Sequence, residues 1–181
     1  MIIVAAPSGA GKSSFLARAI SEFEQLRDTV TYTTRRMRAG ESEGSPYHFV
    51  SIERFRQLVS DGFFVEHAAV HDNFYGTPFH QLEDAWRDGK VIIMDVDVQG
   101  ADTFRSKFPD AKSIFILPPS IEELRRRVVL RDKKVPEDLE VRMRNAEAEV
   151  RRAPEYDYRV VNDDFEKSYA QFKKIIEELL T

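Results

Sequence analysis

Four apolar residues, Ile2-Ile3-Val4-Ala5, run straight into Ala6-Pro7-Ser8-Gly9-Ala10-Gly11-Lys12-Ser13, and Ser14-Phe15-Leu16-Ala17-Arg18-Ala19-Ile20 then reads as the first turns of a helix. A strand that hands its chain to a helix across a glycine-bearing loop leaves few folds open, and a parallel α/β sheet is foremost among them. The loop follows the phosphate-binding pattern G-x-x-x-x-G-K-[ST], with Ala6 in the first glycine position. Backbone N–H groups of such a loop point inward. With the positive end of the helix they bind phosphate oxygens. Lys12 is expected to reach the β- and γ-phosphates, and the Ser13 hydroxyl to ligate Mg²⁺. A Cβ at residue 6 is harmless where φ is negative and strained otherwise.

A chain of 181 residues predicts one domain, long enough to bury roughly 70% of its unfolded surface. Its 42% hydrophobic and 32% charged content describes an ordinary soluble globule rather than a disordered or membrane chain. No apolar run approaches the ~20 residues that span a bilayer, and the strand-sized apolar start, without a basic flank, is not expected to be a signal peptide. The absence of cysteine excludes disulfides and thiolate metal sites and suits a reducing cytoplasm. A net charge of −4 argues against general nucleic-acid binding. Arginines nonetheless cluster at Arg35, Arg36 and Arg38, at Arg125, Arg126, Arg127 and Arg131, and at Arg142 and Arg144, as small anionic ligands would require.

The rest of the chain predicts strands at 30–34, 47–50, 63–70, 74–75, 91–94, 113–117 and 158–161. Helices are predicted over 52–61, from Pro78 to Gly89, over 99–107, from the Ser120–Glu123 capping box to Arg131, over 137–153 and over 166–180. Residues 35–46 and 132–136 read as polar breaks, and His71-Asp72-Asn73 as a turn. Strands separated by helices at both ends give a parallel core. The β-rich stretch of about 31–80 interrupts it as an inserted subdomain, and the charged helices form a lid. Asp95 ends the apolar strand Val91–Met94 and Asp97 lies two residues on. Ligands of open α/β sheets bind beyond the carboxyl ends of strands, so at least one of these carboxylates is expected to contact a ligand or Mg²⁺, the alternative being a helix cap.

Together, Ala6–Ser13, Thr33-Thr34-Arg35-x-x-Arg38-x-Gly40-Glu41, Tyr47-His48-Phe49-Val50, Phe74-Tyr75-Gly76-Thr77, Asp95-Val96-Asp97-Val98-Gln99-Gly100 and Val161-Asn162-Asp163-Asp164 resemble guanylate kinase, one of the P-loop nucleoside monophosphate kinases. The blocks hold their order and spacing over essentially the whole chain. The resemblance implies a three-layer P-loop fold in a single 1–181 domain. Its core would comprise 1–30, 81–125 and 155–181, its GMP-binding subdomain about 31–80 and its lid about 126–154. It implies transfer of the γ-phosphoryl group of ATP to GMP, and to dGMP, with Mg²⁺.

On that pattern Pro7, Ser8, Gly9, Ala10, Gly11, Lys12, Ser13, Ser14 and Asn162 bind ATP. Arg35, Arg38, Tyr47 and Tyr75 hold the GMP phosphate, while Glu66, Thr31, Thr77 and Asp97 recognise guanine. Lys12, Arg38, Arg127, Arg131 and Arg142 serve catalysis, and Ser13 and Asp95 hold Mg²⁺, partly through water. His48, His67, His71 and His80 have no chemical role to fill. ATP and GMP are the implied partners, with neither nucleic acid nor membrane. Two other readings stay open on the sequence: a catalytically silent protein-binding relative, and a P-loop kinase for another small phosphorylated acceptor.

Overall fold

The computed structural model describes residues 1–38, 40–70, 72–132 and 135–181. His71 of the expected turn, and Lys133 and Lys134 of the expected charged break, lie outside these residues. In chain order the elements are β1 (Ile2–Ala5), α1 (Lys12–Glu22), β2 (Leu26–Arg27), β3 (Thr31–Thr33), β4 (Ser42–Glu43), β5 (Pro46–Phe49), α2 (Ile52–Ser60), β6 (Phe64–Val70), β7 (Asn73–Pro78) and α3 (Phe79–Arg87). There follow β8 (Val91–Val96), α4 (Val98–Lys107), β9 (Lys112–Leu117), α5 (Ile121–Asp132), α6 (Leu139–Arg151), a 3-10 turn (Ala153–Glu155), β10 (Tyr158–Val161) and α7 (Phe165–Leu179). The chain divides into two compact units, residues 1–24 with 93–181, and residues 25–92.

The five-stranded parallel sheet has the order β10-β9-β1-β8-β2. In the first unit β1 lies between β8 and β9, with Ile2 opposite Ile93 and Lys112, and Ala5 opposite Val96 and Phe115. Ile3, Val4, Ile114, Phe115 and Ile116 are fully buried. Such unbroken apolar runs are what a parallel strand covered on both faces requires. From α1, Phe15 makes T-shaped contacts with Phe165 and Phe172 of α7, with centroids 5.2 and 5.3 Å away. Asp164 caps α7 by accepting the Lys167 N–H at 3.0 Å.

The second unit carries a mixed sheet of order β4-β5-β3-β7-β6. Ser51 caps α2, accepting the Arg54 N–H at 3.1 Å. That helix buries Phe55, which stacks on Phe64 at 4.8 Å and on Phe74 at 5.6 Å. Register sorts the sheet's two faces, since paired residues share a face and neighbours along a strand do not. Tyr32, His48, His67, Phe74 and Gly76 lie on one face, with Phe55 against it. Thr31, Thr33, Tyr47, Phe49, Glu66, Tyr75 and Thr77 lie on the other.

Several boundaries differ from expectation. The two-residue strands β2 and β4 are too short to leave a periodic signal, so the stretch after Arg35 is not wholly loop. β7 runs on to Pro78, which is the residue before α3 rather than its first turn. α6 begins at Leu139 and ends at Arg151, with the 3-10 turn at Pro154 closing what reads in sequence as one longer helix.

Candidate active site

The loop after β1 takes its shape from two glycines. Gly9 and Gly11 have φ of 95° and 97°, left-handed conformations that a side chain disfavours. Space forbids one as well. A Cβ on Gly11 would lie 2.5 Å from Asn162 Nδ2, and one on Gly9 2.8 Å from Val128 of α5. Asn162 is buried, and its Nδ2 donates to the Ala10 carbonyl at 2.7 Å, which ties the carboxyl end of β10 to the loop. Ala6 is buried at the end of β1.

Lys12 opens α1 and donates from Nζ to the Val96 carbonyl at 2.8 Å, with Asp95 Oδ2 at 3.7 Å. This draws the ammonium to the carboxyl end of β8. Ser13 and Ser14 are exposed in the first turn of α1. Asp97 caps α4, its Oδ1 accepting the Gly100 N–H at 2.7 Å. Among the described residues no group of three or more His, Cys, Asp and Glu side chains is arranged to hold a metal ion. A hydroxyl and one carboxylate nevertheless suit Mg²⁺, a hard cation that keeps several waters and takes its other ligands from phosphate.

Sequence reasoning passed over a carboxylate of α6 in this unit. Glu149 lies on the same stripe as Ala146 and Arg142, and its carboxyl is pushed up to about 7. Burial is the main cause and the negative charge of Asp97 adds to it, with Lys12 opposing both. In sequence it is one more acidic residue of a charged helix, so nothing marks it out.

The three arginines expected in a lid, Arg127, Arg131 and Arg142, each meet a carboxylate. Arg127 donates from Nε to Glu123 at 2.8 Å and from Nη1 to the Asn162 carbonyl at 3.0 Å. Arg131 donates from Nε to Asp132 at 2.9 Å, while Arg142 bonds Asp132 at 3.2 Å and Asp138 at 2.9 Å. Ser120 caps α5 by accepting the Glu123 N–H at 3.1 Å, which is half of the expected box. The carboxylate of Glu123 pairs instead with Arg126 and Arg127, which hold it down to about 2. Two guanidinium groups outcompete a single backbone N–H for that charge.

In the second unit the tyrosines sit on the face of the sheet turned away from α2. The Tyr47 and Tyr75 rings are 5.9 Å apart, and the Arg35 guanidinium lies 5.3 Å from the Tyr47 centroid. Thr33 fixes the start of the arginine segment: its hydroxyl accepts the Arg35 N–H at 3.1 Å and donates to the Phe74 carbonyl at 3.0 Å. Arg35 forms a fork-to-fork pair with Glu41 at 2.8 and 3.1 Å, which holds that carboxylate below its usual range. The Arg38 N–H also bonds Glu41, at 2.7 Å, and the Arg38 side chain is exposed. Glu66 and Thr77 are register partners, 8% and 3% exposed, and Thr31 is half-buried opposite Tyr47.

Residues 1–179 match the family model described as guanylate kinase. The chain is 61% identical over 180 residues to the guanylate kinase of Bdellovibrio bacteriovorus, covering 99% of this chain and 97% of that protein. It is 47% identical over 179 residues to the guanylate kinase of Photorhabdus laumondii, covering 97% and 86%. A crystal structure of guanylate kinase from Anaplasma phagocytophilum superposes with a TM-score of 0.81 at 35% identity, over 98% of this chain and 85% of that one. A family model spanning nearly every residue and relatives of this similarity leave one assignment: the chain belongs to the guanylate kinase family.

Proposed function

We propose that the chain transfers the γ-phosphoryl group of ATP to GMP or dGMP, yielding ADP and the corresponding nucleoside diphosphate. The observation that carries this reading is the gathering of Glu66, Thr77, Tyr75 and Tyr47 on one face of a sheet whose other face is aromatic core. Guanine offers two adjacent N–H donors on one edge and adenine does not, so a fixed carboxylate at Glu66 accepts the first and leaves the second mismatched. Thr31, Thr77 and Asp97 complete the base contacts, Asp97 keeping one oxygen for its helix. Tyr47, Tyr75, Arg35 and Arg38 take the phosphate, whose dianion suits phenol hydroxyls and guanidinium forks.

The loop residues Pro7 to Ser14 and Asn162 hold the triphosphate. Ser13 and Asp95, directly or through water, would hold Mg²⁺, which when bound offsets phosphate charge. Lys12, Arg38, Arg127, Arg131 and Arg142 neutralise charge on the transferring group and hold the two anions in line. No general base is required, because the acceptor phosphate has a second pKa near ~6 and is mostly ionised at neutral pH. ATP and GMP are the partners on this reading, and the cytoplasm is the compartment that supplies both. Among the described residues no helix is long and apolar enough to cross a membrane.

A coupled assay of ADP release from ATP and Mg²⁺ tests the reading with GMP, AMP, CMP, UMP or no acceptor. Turnover with GMP and little with the others is the expected outcome. Folded protein that releases no ADP with any acceptor refutes it.

A further inference from the structure

Helices α5 and α6 are joined across residues 133–138, and one carboxylate serves an arginine from each. Asp132, at the last position of α5, takes the Arg131 Nε–H on Oδ1 at 2.9 Å and an Arg142 Nη1–H on Oδ2 at 3.2 Å. Arg142 is held from a second side, its Nε–H bonding Asp138 at 2.9 Å. The side chains of Asp132 and Arg142 are about three-quarters shielded from water, so the contact is less screened than an exposed ion pair. A second bridge between these helices, Arg125 with Glu140, engages neither arginine. Among the described residues, Asp132 is the carboxylate bonded to both members of the pair that the proposed mechanism uses.

Two guanidinium groups brought to one place repel each other, and a carboxylate between them offsets that repulsion. Each guanidinium has five N–H donors in a rigid plane. Asp132 draws one from each, so a phosphate oxygen can bind both arginines without displacing it.

We propose that Asp132 is a positioning residue, whose carboxylate holds Arg131 and Arg142 side by side so that both guanidinium groups meet the transferring phosphoryl group together. The assignment rests on the ATP-to-GMP reading above. It differs from simple competition for the arginines. Were Asp132 only a competing anion, removing its charge would tighten ATP binding and leave the rate intact or raise it.

The test is steady-state kinetics of the full chain with Mg-ATP and GMP for the wild type, Asp132→Asn, Asp132→Glu, Arg142→Lys and the double variant Asp132→Asn/Arg142→Lys. Asparagine keeps the shape but gives Arg142 or Arg131 an amide donor where it needs an acceptor. Asp132→Asn is expected to lower kcat about tenfold while both KM values stay within about twofold, since misplaced transition-state groups cost rate rather than ground-state binding. Asp132→Glu should recover part of the loss, which gives an arm independent of how the first variant folds. Arg142→Lys should cost several-fold less in the Asp132→Asn background than alone, the non-additivity of residues acting as one unit. Additive costs, a kcat within twofold of wild type in Asp132→Asn, or a fall in the KM for ATP at unchanged kcat would each overturn the assignment. An inactive wild-type chain refutes the function reading itself, whereas active wild type with an indifferent Asp132→Asn refutes only the positioning role.

Discussion

Glu66 is a carboxylate kept almost wholly from water on a strand whose partner Thr77 is buried beside it. On the function proposed above, its carboxylate accepts the N–H donors of the guanine edge. Glu66→Gln preserves volume but sets an amide donor against guanine N–H donors. The variant is expected to raise the KM for GMP by roughly ten- to a hundredfold, from a mismatch of about 1–3 kcal/mol, with the KM for ATP little changed. Initial rates over a GMP series at saturating ATP check it, and unchanged GMP kinetics would remove Glu66 from the base site. In sequence this residue carries no mark of its own. An acidic residue in a strand reads as surface, and it is the register with Thr77 that puts it inside.

At the scale of elements, β7 shows why the motif Tyr75-Gly76-Thr77 contains glycine. The backbone of Gly76 lies against Phe64, and a Cβ there would fall 2.9–3.0 Å from three atoms of that ring. Phe64 cannot retreat freely, because it stacks on Phe55 of α2. Gly76→Ala is expected to destabilise the protein by about 1–3 kcal/mol, the usual cost of overpacking a filled core. Urea denaturation followed by circular dichroism measures that directly. The KM for GMP should rise with it, since Tyr75 and Thr77 flank the strained position. Elements with a periodic pattern, such as α2 and α7, are legible in sequence to within a residue or two. The strands β2 and β4 are not, since each exists only because a neighbouring strand pairs with it.

For the folded molecule as a whole, Glu149 sets a pH response. Its carboxyl binds a proton more tightly in the fold, at about 7, than in the unfolded chain near 4.5. Between those values the folded state therefore holds the extra proton, and stability falls as pH rises through that window, reaching its full loss above about 7. Glu149→Gln should remove this component. The melting temperature of the variant relative to wild type, in EDTA and without nucleotide, is expected to increase from pH 5 to pH 8. A difference that stays constant over that range would show that Glu149 ionises normally.

Sequence alone determined the class of fold, the phosphate loop and the family, because these rest on local features. Strand–loop–helix order, glycines at left-handed positions and blocks of fixed spacing are all contiguous in the chain. Tertiary structure decided what those residues touch. Only folding sets Asn162 against Ala10, places Glu149 where burial, with Asp97 adding to it, raises its pKa, and puts Arg131 and Arg142 on one carboxylate. Burial and charge pairing depend on which distant segments meet, and that choice is made by the packing of the core rather than by any residue's own neighbours in sequence.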